Sequence, residues 1–272
     1  MKLSSSDAHL DWLSATTQTP VTEVVDVLLK HVRGAIDVRS ALPVAKAYKE
    51  AFEVIDWQGD SLCRVEAGAS HGWTLVTATG TQPNAEVREA LRLLQDGCRA
   101  TRLDSAIDMH GDFVEIAAMV EAIARQPLQG TAVRAFERWE SPNGSTLYVG
   151  ARQSAARVRV YQKGYEQRAK GNADAPLDWV RVELQWRPQK EQRMGAMDLS
   201  AAEIWGAATK WTAEVGKRLL CADLTHATVP AEMTTFETTY AWALKAASKT
   251  LQEAVRRYGL AQVLSDLQLQ DN

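Results

Sequence analysis

Three runs of alternating residues constrain this chain more than anything else in it. In TRLDSAIDMH, Arg102, Asp104, Ala106 and Asp108 fall on one face of an extended strand, and Leu103, Ser105 and Ile107 on the other. In ARVRVYQK, Arg157, Arg159, Tyr161 and Lys163 oppose Val158 and Val160. In VRVELQW, Arg181 and Glu183 oppose Val180, Val182, Leu184 and Trp186. A period of two with one apolar face requires strands that cover a core on one side only. The other face then gathers acids, cations and a phenol.

That face has two readings. Opposite charges on exposed strands commonly pair across the sheet, which needs no function. Carboxylates held close together can instead bind a hard cation such as Mg²⁺ or Mn²⁺, which in turn binds phosphate oxygens. A neighbouring tyrosine, activated by cations, then becomes a nucleophile for phosphorus. The net charge of the chain is −3, yet residues 151–170 hold Arg152, Arg157, Arg159, Lys163, Arg168 and Lys170 against the single acid Glu166. A basic island in an acidic protein points to a local polyanion site rather than to nonspecific coating of nucleic acid.

The remaining chemistry is sparse. The histidines, His9, His31, His71, His110 and His226, form no HxH or HExxH pair and read as structural or surface residues. There is no GxxxxGK[ST] loop for ATP and no GxSxG elbow. Cys63, Cys98 and Cys221 are scattered, which suggests neither a disulfide framework nor a zinc site. No apolar run is long enough for a membrane span, and the start lacks a signal-peptide core, so a cytoplasmic protein is expected. Most of the nine tryptophans, among them Trp12, Trp57, Trp179 and Trp186 in strand-like runs, are expected in the core.

Along the chain, further strands are expected at HLDWLSATT, GWTLVTATG, TAVRAFERWE and STLYVGA, with a hairpin at Asn143-Gly144. Helices are expected at TPVTEVVDVLLKHVRG, LPVAKAYKEAF, NAEVREALRLLQDG and GDFVEIAAMVEAIAR. From about residue 198 the pattern turns helical. One helix opens with Ser200 and Glu203 in capping-box spacing, and another, EMTTFETTYAWALKAASKTLQEAVRRYG, ends at Gly259. The expected class is α+β: a mixed or antiparallel sheet forming a catalytic core over residues 1–190, flanked by helices. A helical C-terminal region, 191–272, is expected to pack on it.

Four motifs then occur in order: Thr101, Arg102, Asp104, Ala106 and Asp108; Thr146, Tyr148, Gly150, Arg152 and Ser154; Arg159, Tyr161, Lys163 and Glu166; Arg181 and Glu183. Together they resemble the replication initiation factor family of rolling-circle initiators found in plasmids, filamentous phages and integrative elements. DWLSATT near the start and YAWALKAASKTLQEAVRRYG near the end also look like phage-type members. Ala151, Ala155 and Gln162 depart from residues common in the family, beside the core chemistry.

The resemblance implies a site-specific nicking and closing endonuclease acting at replication origins. Tyr161 would attack one strand, leaving a 5′-phosphotyrosine and a 3′-hydroxyl primer, with Lys163 and Glu166 as catalytic neighbours. Tyr165 matches no family position. A divalent metal, Mg²⁺ or Mn²⁺, would sit among Asp104, Asp108 and Glu183. Arg102, Arg152, Ser154, Arg157, Arg159, Arg168, Lys170 and Arg181 would contact DNA. Implied partners are origin DNA, double-stranded, extruded as a hairpin or single-stranded; a host helicase and polymerase; and a second copy in a homodimer. A relaxase of a conjugative element, or a noncatalytic DNA-binding regulator of the same fold, are the alternative readings.

Overall fold

The computed structural model describes residues 4–5, 7–127, 133, 135–221, 224, 247–248 and 250–266. Two compact units divide the chain, residues 1–231 and residues 232–272. The first is built on one antiparallel sheet. Its strands are β1 (Ser4–Ser5), β2 (His9–Thr17), β3 (Asp37–Ala41), β4 (Glu50–Ile55), β5 (Ser61–Ala67) and β6 (Thr74–Thr79). They continue with β7 (Arg99–His110), β8 (Phe136–Ser141), β9 (Gly144–Val149), β10 (Ala156–Gln162) and β11 (Trp179–Trp186). The order across the sheet is β3-β4-β5-β6-β2-β7-β11-β10-β9-β8, and β1 pairs with the far end of β7. Every pairing is antiparallel, so the fold is α+β with an antiparallel rather than mixed sheet.

Helices cover one face. α1 (Val21–His31) and α2 (Thr81–Leu91) lie over the β2, β4, β5 and β6 side. α3 (Phe113–Arg125) packs on β9 and β10, α5 (Ala201–Ala208) on β2, β7 and β11, and α6 (Lys210–Leu220) on α3 and α5. α4 (Lys163–Ala169) follows β10 directly and packs against β9 and β11. The covered face is apolar: Leu13, Leu103, Ile107, Leu147, Val158, Val160, Val182, Leu184 and Trp186 are buried in one core. Ser105, the one polar residue of β7 on that face, donates to the Ala201 carbonyl at 2.7 Å and accepts from Trp205 Nε1 at 2.9 Å. Its burial is thereby compensated. The opposite face of the central strands carries no helix packed across it among these contacts and keeps its polar residues.

The alternating runs form the central strands as read. The β8–β9 hairpin also forms, with Pro142 and Asn143 at the corner and the positive φ (+102°) at Gly144. α3 is capped by Asp112, whose carboxylate accepts from the Val114 and Glu115 amides. Ser200 and Glu203 form the expected capping box of α5. The helix expected over 198–220, however, is two helices. Thr209 adopts an extended conformation, ends α5 and caps α6 through a second box with Thr212.

The helix expected over LPVAKAYKEAF is absent. Residues 42–49 form a turn-rich link, and Glu50–Ile55 is β4. The Glu66 carboxylate accepts from the Val44 amide at 2.6 Å and the Ala45 amide at 3.2 Å, which fixes the turn beside Pro43. Leu42 and Val44, which gave the run its helical look, stand exposed. With β3 and β5, neither of them evident from alternation, β4 extends the sheet by three strands. The second unit's described residues 250–258 are helical, a break falls at Gly259 (φ +86°), and α7 (Leu260–Asp266) follows. Residues 247–248 are helical too, while the other residues of the helix expected there, and 131, 132 and 134 of the strand expected at TAVRAFERWE, lie outside the described residues.

Candidate active site

Strand register assembles the open face row by row. Directly opposed residues in an antiparallel sheet point the same way. Thr146, Tyr161, Arg181 and Asp108 therefore make one row across β9, β10, β11 and β7. The adjacent row is Tyr148, Arg159, Glu183, Ala106 and His9. A third holds Arg157, Gln185, Asp104 and Trp12. A β-bulge between Leu10 and Trp12 interrupts the alternation, and both Asp11 and Trp12 are half-buried there while Leu10 and Leu13 enter the core.

Tyr161 lies one residue from the end of its strand, because α4 begins at Lys163. Gly164 makes this turn possible. A Cβ built there would fall 1.8 Å from the Pro176 carbonyl oxygen, so only glycine lets the 176–177 segment pass so close. The same turn carries Tyr165 off the row onto α4, where it backs against Gly144. Lys163 leaves the strand, yet its Nζ lies 5.5 Å from the centre of the Tyr161 ring. Glu166 accepts from Lys163 at 2.8 Å and from Lys170 at 2.7 Å. Burial alone would raise the Glu166 carboxyl, but these two ammonium groups outweigh it and hold it down at about 2.

Cations and rings interleave along β9 and β10. The Arg157 guanidinium lies 3.9 Å from the Tyr148 ring, with Arg159 5.9 Å from the same ring and 3.7 Å from that of Tyr161. Tyr161 itself is buried. Burial and the nearby Glu183 carboxylate raise its phenol far above the usual range, against the pull of Arg181 and Arg159. The free protein thus holds this tyrosine neutral, and ionising it requires added positive charge.

The acids divide into two states. Asp108 receives Arg181 Nε at 2.7 Å, Arg181 Nη2 at 2.8 Å and Trp179 Nε1 at 2.8 Å. Arg181 also donates to Asp11 at 2.8 Å. Despite its burial Asp108 is lowered, because Arg181 stabilises its charge. Asp104 accepts Arg102 Nε at 2.9 Å and a further bond from its Nη2. It is nonetheless raised, first by burial and then by Asp11, against Arg102. Glu183 is pushed up to about 7 by burial, by Asp104 and by Asp11. Around Ala106, then, the Asp104 and Glu183 carboxyls are both held above their usual range by burial and neighbouring acids, against Arg102 and Arg159.

The expected ligands Asp104, Asp108 and Glu183 share this face but do not form one ligand set as their side chains stand. Among the described residues, no group of three or more His, Cys, Asp and Glu is placed to hold a metal ion. Arg102 and Arg181 occupy two of the three acids. Arg157, Arg159, Arg102 and Arg181 lie on the face. Arg181 is almost fully buried and serves the Asp108 and Asp11 carboxylates. Arg102 stacks on Trp12 at 4.4 Å. Arg152 is exposed and Ser154 half-buried in the β9–β10 loop. Arg168 is turned to α4's own neighbourhood and donates to the Ala175 carbonyl at 2.7 Å. The basic island is therefore split between the face and the α4 surface.

Three residues escaped the sequence reading. His9 stands in register with Ala106, with Nε2 buried, without a hydrogen-bond partner and 3.8 Å from Asp108 Oδ2. Burial and Arg181 lower its imidazole, which favours the neutral form. Asp11 reaches the site only through the bulge, which no alternation could reveal. Trp139 is 59 % exposed on the edge strand β8. Of the other tryptophans, Trp186 and Trp205 are core as expected, but Trp12 and Trp179 are half-buried beside the acids and Trp57 is exposed in the β4–β5 turn.

This arrangement has relatives. The replication initiation factor family model matches residues 98–262, from the start of β7 into the second unit. The fold is similar to that of a rolling circle replication initiator protein from Geobacillus stearothermophilus. The TM-score is 0.53 at 19 % identity, covering 84 % of this chain and 99 % of that one. No curated protein matches the chain. Among the described residues, no helix is long and apolar enough to cross a membrane. The family match contains all four motifs and every strand from β7 to β11, while His9 and Asp11 lie outside it. Because that match spans more than half of the sequence, the chain belongs to the replication initiation factor family.

Proposed function

We propose that the chain is a rolling-circle initiator that nicks and rejoins origin DNA through Tyr161. One observation carries this reading: a single buried tyrosine is set in a row with Arg181, under the Arg159 guanidinium and within 5.5 Å of the Lys163 ammonium. In the proposed step Tyr161 gives up its phenol proton, its Oη bonds to phosphorus, and the bond from phosphorus to the 3′-oxygen breaks, so the proton lost by the phenol balances the one the 3′-oxygen takes up. The departing 3′-oxygen takes a proton and becomes the primer end; the reverse reaction rejoins a strand. Arg159 and Lys163 supply the positive charge that a phenolate and an incoming phosphate both need. Glu166 positions Lys163.

The donor set around Ala106 suits a divalent cation. It has the Asp104 and Glu183 carboxyls, both raised by burial and neighbouring acids, Glu183 to about 7, and the orphaned His9 Nε2. Glu183, Asp104 and Asp108, with His9 as an added donor, would hold Mg²⁺ or Mn²⁺ once Arg102 or Arg181 gives way. Bound there, the ion would supply positive charge for the phosphate oxygens. Host helicase and polymerase, and a second copy at inverted repeats, are the partners such a reaction would call on.

The test is direct. Supercoiled DNA carrying this protein's own gene is incubated with it in Mg²⁺ or Mn²⁺. The expected products are open circles with protein covalently attached at Tyr161. Intact DNA in both metals, despite binding, would mean a noncatalytic member of the family.

A further inference from the structure

Trp139 is 59 % exposed on the edge strand β8, opposite Thr146 of the neighbouring strand. In β8, Phe136 and Arg138 turn to the helix side: Arg125 of α3 stacks over Phe136 at 4.0 Å, and Arg138 pairs with Glu121 of α3 at 2.8 Å. Alternation therefore sends Glu137 and Trp139 to the open face. The ion pair between Glu137 and Arg157, at 3.3 Å, confirms the direction. Trp139 is opposed to Thr146, and Thr146 to Tyr161. The row thus reads Trp139, Thr146, Tyr161, Arg181, Asp108, and two strand spacings set Trp139 about 10 Å from the tyrosine.

Between the two aromatic side chains in this row lies Thr146, a small residue. Beside it run the Tyr148 ring and the Arg157 and Arg159 guanidiniums, which suit phosphates. An indole 59 % exposed at the end of this row costs hydration in the free protein. It offers a flat apolar platform to an unpaired base, and stacking on such platforms tolerates any base identity.

We infer that Trp139 is a base-stacking platform that positions single-stranded DNA flanking the scissile phosphate. This rests on the proposed reaction for its purpose, not for its test. Charge on the face holds the backbone, and the indole sets which nucleotide lies over Tyr161. Trp139 is a positioning residue: it touches a flanking base and leaves the reacting atoms to Tyr161.

The experiment compares binding of fluorescein-labelled (dT)₂₀ with an abasic 20-mer of the same backbone, in chelator so that no cleavage intervenes. Wild-type protein should prefer (dT)₂₀. Trp139→Ala should lose about five- to a hundredfold in affinity for (dT)₂₀ and little for the abasic strand. Trp139→Phe should keep most of the preference. The inference is overturned if wild type shows no preference, if Trp139→Ala binds both strands as wild type does, or if it weakens both equally. A change in self-association with unchanged discrimination overturns it too, because it would make the indole a contact between copies. Nicking of supercoiled DNA is scored separately. Discrimination without nicking would remove the proposed reaction and keep the platform, whereas nicking without discrimination would do the reverse.

Discussion

The Arg159 guanidinium lies 3.7 Å from the centre of the Tyr161 ring, two residues along the same strand and on the same face. A cation in that position both shields a buried phenol and offers the first contact for an arriving phosphate. The second tyrosine of the segment, Tyr165, has no such neighbour in the row, because α4 carries it away. Tyr161→Phe should therefore bind origin DNA and form no covalent adduct, and Tyr165→Phe should still nick. Peptide mapping of the DNA-linked fragment checks this, and a phosphate found on Tyr165 would reverse the assignment.

Arg181, expected to contact DNA, also bonds Asp108 and Asp11 within the fold. Removing it leaves two partly buried carboxylates without their cation. Arg181→Ala should cost about 3–5 kcal/mol of unfolding free energy in urea titrations at neutral pH. Arg159→Ala, which leaves no such pair behind, should cost far less while weakening DNA binding. Equal stability of the two variants would return Arg181 to a purely DNA-facing role.

What could be read in the residues, and what could not, follows from the physics of each element. β7, β10 and β11 have a period of two, so the sequence alone places Asp104, Arg159, Tyr161, Arg181 and Glu183 on one face. Asp11 reaches that face by a bulge, and a bulge breaks the very period that would reveal it. His9 gains its meaning only from register with Ala106, a contact 97 positions away. β4 was hidden because a turn held by Glu66 leaves Leu42 and Val44 exposed, and apolar residues without a core mimic a helix face. The partners of each acid, Arg102 and Arg181, depend on rotamers that no pattern encodes.

The raised Asp104 and Glu183 carboxyls make a metal prediction that needs no activity. Millimolar Mn²⁺ should raise the melting temperature of the wild type, since a cation bound only by the folded state stabilises it. Glu183→Gln should show a smaller rise or none, and should melt no lower than wild type without metal, because it removes a carboxylate that its neighbours disfavour. A rise of the same size in both proteins would place the ion elsewhere.

Glu166 carries a pH prediction. Its folded carboxyl, at about 2, lies below the value of about 4.5 expected when unfolded, so the folded state favours the charged form. The stabilisation is complete above about 4.5 and is lost as pH falls toward 2. At 28 % side-chain exposure solvent screens part of it, leaving roughly 1 kcal/mol at neutral pH. Glu166→Gln should lower stability by that amount at pH 7, with the gap to wild type closing by pH 2–3. A constant gap across the range would show that the ion pairs with Lys163 and Lys170 contribute little.

Gly164 is the most exacting position in the segment, because the site depends on the chain turning immediately after Tyr161. A methyl group there would overlap the Pro176 carbonyl at 1.8 Å, and the obstacle is backbone, which cannot swing aside. Gly164→Ala must therefore push α4 away from the 176–177 segment, dragging Lys163 from the Tyr161 ring. The expected result is a loss of about 2 kcal/mol or more in unfolding free energy, in the range typical of overpacking. Adduct formation should fall by more than (dT)₂₀ binding, since Arg157 and Arg159 keep their places on β10. Gly171→Ala, with positive φ but nothing within 4 Å of its Cβ, isolates backbone strain from collision. If both variants lost adduct formation equally, the Lys163 geometry would not be what Gly164 protects.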